Sequence, residues 1–162
     1  MATDAFLKIE GIEGESTDDK HKNWIEVLSY SHGLSQPASA TSGTGGRSKE
    51  RVEMADFSVM KVLDKASPNL ALAVCDGRHI PTVTIELCEA SGEKHKYMEY
   101  VMEDVIVSSL QPSGSSGGDK PLESLTFNFG KIKWTYYPIT HGGKESGKVG
   151  PVGWNLEENK KI

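Results

Sequence analysis

Residues 122–137 alternate apolar and polar side chains with a period of two, and the phase of that alternation changes in mid-run. Leu125, Phe127 and Phe129 occupy odd positions, Ile132, Trp134 and Tyr136 even ones, and Gly130 stands at the change. A period of two sends successive side chains to opposite faces of a strand, so this run excludes a helix. One flat sheet cannot bury both sets. The pattern predicts a long strand with a bulge or bend at Gly130, as barrel strands need when they turn a corner.

Other segments read the same way. Residues 23–31 place Trp24, Leu28 and Tyr30 on one side and Ile25 and Val27 on the other, so both faces carry apolar groups. Residues 82–90 alternate Val83, Ile85 and Leu87 against Thr84, Glu86 and Cys88, and residues 97–110 add a β-branched run ending Val105-Ile106-Val107. One segment reads as a helix: Ser67 as N-cap, Pro68 at N1, an apolar stretch from Leu70 to Cys75, and Asp76-Gly77 as the stop. Glycine, proline and serine gather in residues 35–48, 111–119 and 141–150, which are the expected loops. The first holds almost nothing that could form its own core, so a loop of that length is expected to act against a partner. The chain of 162 residues suits one domain. The expectation is therefore a single mainly β domain over 1–162, an antiparallel β-barrel of two packed sheets with one flanking helix, carrying an extended loop at about 35–52.

A net charge of -5 has the wrong sign for a protein that neutralises phosphates or anionic lipid, so nucleic acid is not an expected partner. The longest apolar stretches fall far short of the ~20 residues of a bilayer span, and membrane insertion is not expected either. The N-terminal residues have no basic segment followed by an apolar one, so a Sec-type signal is not expected. Cys75 and Cys88 are too few for a disulfide framework and read as reduced, buried small hydrophobes.

Candidate chemistry is sparse. His21, His32, His79, His95 and His141 are scattered, without the spacing of a metal site. Ser29, Ser31 and His32 with Asp56 or Asp64 could be drawn as a hydrolase triad, but no G-x-S-x-G elbow accompanies them. Gly43-Thr44-Gly45-Gly46-Arg47-Ser48-Lys49 lacks the order of a phosphate-binding loop, and strand-like alternation follows it where a helix N-terminus would be needed. It reads better as a docking loop. The early acidic residues lack the spacing of a calcium loop and read as a solvated edge. The three tryptophans and the Tyr136-Tyr137 pair read as core and interface anchors. No catalytic residue, metal or cofactor is expected.

Collinear blocks then carry a resemblance: residues 4–16 (Asp4-Ala5-Phe6-Leu7-Lys8-Ile9-Glu10), residues 25–36 (Leu28-Ser29-Tyr30-Ser31-His32-Gly33), residues 64–70, Val107-Ser108-Ser109 before a Gly/Ser loop, residues 123–137 with Leu125-Thr126-Phe127-Asn128-Phe129, and Gly150-Pro151-Val152-Gly153-Trp154-Asn155. Together they resemble the haemolysin-coregulated protein (Hcp) family of bacterial type VI secretion, over essentially the whole chain. The resemblance implies a non-enzymatic β-barrel with one flanking helix, related in fold to phage tail-tube proteins. It also implies homohexameric rings that stack into the inner tube, with a contractile sheath around it, a spike protein at its tip and secreted effectors in its lumen. The protein would be cytoplasmic before firing and then secreted by a Sec-independent route.

On this resemblance Gly43, Thr44, Gly45, Gly46 and Arg47 belong to the loop that reaches a neighbouring subunit or the next ring. Ser67, Leu70, Leu72 and Val74 belong to the helix of the ring wall, with the three apolar side chains buried against the barrel while part of the helix face meets a neighbour or the lumen. Ser31 contacts effectors in the lumen. The charges from Arg47 to Arg51 and the lysine-bearing residues 141–148 depart from a bare glycine connection and bear on stacking register. The chain stops shortly after Trp154, so cargo is expected to bind non-covalently. Two readings from other classes compete: a monomeric small-ligand-binding β-barrel and, more weakly, a serine hydrolase.

Overall fold

A computed structural model of the chain describes residues 2–39, 48–49, 51–90, 92–139 and 147–162. In chain order the elements are β1 (Thr3–Ile9), β2 (Ile25–Val27), β3 (Ser29–Ser31), β4 (Leu34–Ser35), β5 (Ala38–Ser39), β6 (Ser48–Lys49), β7 (Glu53–Met54), β8 (Phe57–Val62), α1 (Ser67–Asp76), β9 (Ile80–Glu89), β10 (Lys96–Ser113), β11 (Leu122–Tyr136), β12 (Val149–Asn155) and β13 (Lys160–Lys161).

Every strand pairing is antiparallel. β1 pairs with β2 and β9, β9 with β10, β10 with β11, and β11 with β8. β8 pairs with β3, which follows β2 after the single residue Leu28, and the Leu28 amide donates to the Met60 carbonyl across that gap. The circuit therefore closes into a barrel and leaves no free edge within itself. β12 and β13 extend the second half of β11, while β4 with β7 and β5 with β6 form short ladders in the loop region.

The core follows from the period-two patterns. Leu7, Ile25, Phe57, Ile85, Leu125 and Phe127 are among its fully buried side chains. Each such burial is worth roughly 1.5–3 kcal/mol. Ile25 and Val27 point inward, whereas Leu28 is 58% exposed.

The phase change in β11 is real, but its cause differs from the sequence expectation. The β10–β11 ladder runs in register from Met102↔Ile132 through Val105↔Phe129, and its register shift lies at Val107/Ser109 on the partner strand. At Gly130 both strands turn together: Asp104, opposite, adopts φ 54, and a Cβ at Gly130 would lie 3.1 Å from the Asp104 carboxylate. A residue at positive φ rotates the chain, so inward positions on β10 pass from Met102 to Val105 as those on β11 pass from Ile132 to Phe129. The bend thus hands the core from one phase to the other without inserting a residue in β11. The same point separates the β8 side of β11 from its β12 side.

α1 starts one residue earlier than expected, with Ala66 at the N-cap. The Ser67 hydroxyl is engaged elsewhere, and the Asp64 carboxylate accepts from the Ala66 amide at 3.0 Å. Gly77 ends the helix at φ 60, its amide donating to the Ala73 carbonyl. Leu70 and Ala73 are buried and Val74 packs against the core. The expectation that Leu72 also buries is wrong: it is 52% exposed. It lies two positions beyond Leu70, a turn of about 200° at 3.6 residues per turn, so the two side chains leave opposite faces. Cys75 is likewise exposed, against expectation, while Cys88 is buried.

Candidate functional site

Strand register assembles a surface that no single segment announces. Ser31 pairs with Ser58, Ser58 with Thr126, and Thr126 with Ser109, so four hydroxyl side chains form one row across β3, β8, β11 and β10. Their strand neighbours Val59, Leu125 and Phe127 point into the core, which turns the row outward. The next row holds Ser29, Met60, Ser124 and Gln111. A shallow cavity of about 190 Å³ lies among Ser29, Ser31, Ser58, Met60 and Ser124. The Asp56 carboxylate borders this face and accepts from the Ser108 hydroxyl at 2.7 Å and the Asn128 amide at 2.9 Å. Ser31 was the one member legible in the sequence. Ser58, Thr126 and Ser109 were missed because only the pairing aligns them, although the spacing by two of Ser29 and Ser31, and of Ser124 and Thr126, was a usable signal.

The apolar end of the same face carries Leu28, Met60 and Leu122, all exposed, beside half-buried Val62. The acidic side chains Glu15, Glu26 and Asp64 and the single base Lys120 surround a cavity of about 270 Å³ that includes Leu28, Val62 and Leu63.

The docking-loop residues Gly43, Thr44, Gly45, Gly46 and Arg47 lie outside the described residues. The root of that loop is described. Leu34 pairs with Met54, the Ala55 amide donates to the Gly33 carbonyl at 2.9 Å, and the Arg51 guanidinium donates to the Leu156 carbonyl just past the end of β12. His32 enters the loop and Phe57 leaves it, and their rings stack with centroids 5.2 Å apart.

Behind α1 sits a buried charge network. Lys61 is fully buried, and its ammonium donates to Glu123 Oε2 at 2.7 Å, pairs with Asp64 Oδ1 at 2.9 Å and reaches Ser67 Oγ at 3.3 Å. The Ser67 hydroxyl donates to the same Glu123 oxygen at 2.8 Å. Ser67 thus ties the first turn of α1 to β8 and β11. A second cluster holds the N-terminal loop to β9: His21 contacts Asp18 through Nδ1 at 2.6 Å and Glu86 through Nε2 at 3.2 Å, under a stacked Phe6. The bond from His21 holds the Asp18 carboxyl below its ordinary range. Cys88 Sγ lies 3.9 Å from His21, but burial, reinforced by Glu86 and Asp18, pushes its thiol up to about 11, far from the thiolate form a nucleophile needs.

The groups drawn above as a triad do not meet. Asp56 is bonded to Ser108 and Asn128, Asp64 belongs to the Lys61 network, and neither ring nitrogen of His32 has a hydrogen-bond partner among the described residues. Among those residues no group of three or more His, Cys, Asp or Glu is placed to hold a metal, and no helix is long and apolar enough to cross a membrane.

A family model described as "Type VI secretion system effector, Hcp" matches residues 6–136, most of the chain. This chain belongs to the Hcp family. "Protein hcp1" of Pseudomonas aeruginosa is 38% identical over 160 residues, covering 98% of each chain, and the "Major exported protein" of the same organism is 29% identical over 84% of this chain and 90% of its own. A solved structure described as that of a type six secretion system protein superposes with a TM-score of 0.95 at 41% identity, covering 99% of this chain and all of its own. The barrel with one flanking helix is thus the Hcp fold. An Hcp chain is a structural protein of the type VI secretion tube and not an enzyme.

Proposed function

We propose that this chain forms homohexameric rings that stack into a tube and carry effectors through the lumen, the protein itself being exported. The observation that carries the reading is the superposition on a type six secretion system protein over nearly the whole chain. In that reading the ring closes by a head-to-tail interface, the same two unlike patches meeting six times. Ser31 and the hydroxyl row it opens face the lumen and meet cargo through weak polar contacts. Leu72, turned away from its own barrel, meets a neighbour in the ring wall, with Ser67, Leu70 and Val74 fixing the helix that presents it. The loop at about 35–52, with Gly43 to Arg47, docks on the neighbouring subunit or next ring, and the whole of 1–162 acts as one domain. A sheath outside and a spike at the tip are the further partners, and export follows a Sec-independent route from the cytoplasm, consistent with a relative named as a major exported protein.

Light scattering after size exclusion, at two concentrations in moderate salt, tests the ring. A mass near six subunits that survives dilution supports it. A stable monomer of 17.6 kDa would overturn the preassembled ring, leaving either assembly on a template or a small-ligand-binding barrel. Bulky substitutions at Thr44, Gly45 and Gly46 should reduce ring stacking, measured by sedimentation, while leaving the thermal midpoint of unfolding unchanged. Normal stacking would remove the loop from this role.

A further inference from the structure

We propose that His32 is an acid-sensitive latch at the root of the extended loop, seated when its imidazole is neutral and released when it is protonated. Its imidazole lies in a box of aromatic rings drawn from three strands. Phe57 stacks on it, Tyr100 and Phe129 meet it edge-on at 6.1 and 6.0 Å, and Trp134 lies 6.2 Å away. Both ring nitrogens are shut off from solvent and make no hydrogen bond among the described residues. The box spans both limbs of the loop, since His32 precedes Gly33 and Leu34 while Phe57 follows Met54 and Ala55, and the Gly33–Ala55 bond closes the root beside it.

A neutral imidazole tolerates this seat poorly, and an imidazolium far worse. Two N–H donors and a full charge would be buried with no acceptor. Among the described residues, the titratable groups packed against the box are phenols: Tyr30 from β3, stacked over Phe57 and tilted against Tyr100, and Tyr100 from β10, whose hydroxyl burial pushes up to about 12. A phenol carries no charge in mild acid. β8 and β11 contribute only Phe57, Phe129 and Trp134 to the box. Burial alone accordingly holds the His32 imidazole below its ordinary range.

The direction of the pH effect follows. A released imidazole binds a proton near pH 6.5, and a seated one only at lower pH. The released state takes up more protons in that interval, so seating is at full strength above about 6.5 and weakens as pH falls. The gain in opening is at most about tenfold per pH unit, or about thirtyfold between pH 7.5 and 5.0. On the reading of the loop as the docking element, mild acid would loosen ring stacking while sparing the barrel.

Hydrogen exchange of the Ala55 amide, which donates to the Gly33 carbonyl, divided by its intrinsic rate, tests this on the full chain from pH 7.5 to 5.0. Wild type should lose protection by up to about thirtyfold between pH 7.5 and 5.0, most of it below pH 6.5. His32→Phe keeps the stacking and cannot titrate, so its profile should be flat. His32→Gln, also unable to titrate, serves if the Phe variant fails to fold. Unchanged protection in wild type, or an equal decline in the non-titrating variant, would overturn the latch. Sedimentation of stacked rings across the same pH range separates the two claims: acid opening of the root with stacking intact supports the latch and removes the docking role from the loop.

Discussion

Replacing Glu123 by alanine should destabilise the fold by about 3–5 kcal/mol, as removal of one partner of a buried ion pair does. Lys61 has no exposed surface and Glu123 is 2% exposed, so neither charge can turn to water when its partner is lost. Asp64 remains beside the ammonium, but it also accepts from the Ala66 amide, and Ser67 offers only a neutral oxygen. The double variant Lys61→Met, Glu123→Leu should recover most of the loss, because apolar replacement of both partners removes the desolvation penalty along with the attraction. Urea unfolding measures both. A single-variant loss under about 1 kcal/mol would mean that the network contributes little, and a double variant as unstable as the single would mean that it fixes geometry rather than compensating charge. The first turn of α1 should respond too, since Ser67 then loses its acceptor.

That network shows what the sequence carried and where it fell silent. Lys61 shares the phase of Phe57 and Val59, and Glu123 the phase of Leu125, Phe127 and Phe129. Each charged residue therefore stood at an inward position, and alternation taken literally would have buried both. The missing piece was the register Glu123↔Lys61, which sets them opposite one another and makes burial tolerable. Pairing between strands some sixty residues apart is not written in either strand. The hydroxyl row was hidden for the same reason, since its four members come from four strands.

Local patterns fared better. The strands, the helix with its proline and glycine punctuation, and the bend at Gly130 are legible because each depends on a few neighbouring residues. Two details of them were not. The extra residue lies on β10 near Ser108, where a run of β-branched and small side chains gives no sign of it. The exposure of Leu72 depends on which side of α1 meets the barrel, and an almost wholly apolar helix does not reveal that. The absence of a catalytic cluster in the sequence accords with a family of structural proteins, and that conclusion rests on the family rather than on the absence.

Replacing Phe57 by alanine should cost about 3–5 kcal/mol, the range for removing a large aromatic side chain from a packed core. Phe57 is fully buried at the start of β8, pairs with Phe127 across β11, and meets the rings of Tyr30, His32 and Tyr100. The cost has two parts: the lost transfer of the phenyl group, and the cavity left where barrel strands cannot collapse freely. Its position adds a consequence that an ordinary core truncation would lack. The cavity opens directly beneath His32, and a water entering it could hydrogen-bond the imidazole that now has no partner. The seated histidine would then be easier to protonate, so acid should distinguish less between seated and released states. Phe57→Ala is therefore expected to lower stability at neutral pH and at the same time flatten the acid dependence of the loop root, whereas Phe127→Ala, equally buried but outside the His32 box, should lower stability and leave that dependence intact. Urea unfolding at pH 7.5 and amide exchange at Ala55 at pH 7.5 and 5.0 read the two effects separately. Equal acid profiles in the two variants would place the pH response somewhere other than the aromatic box.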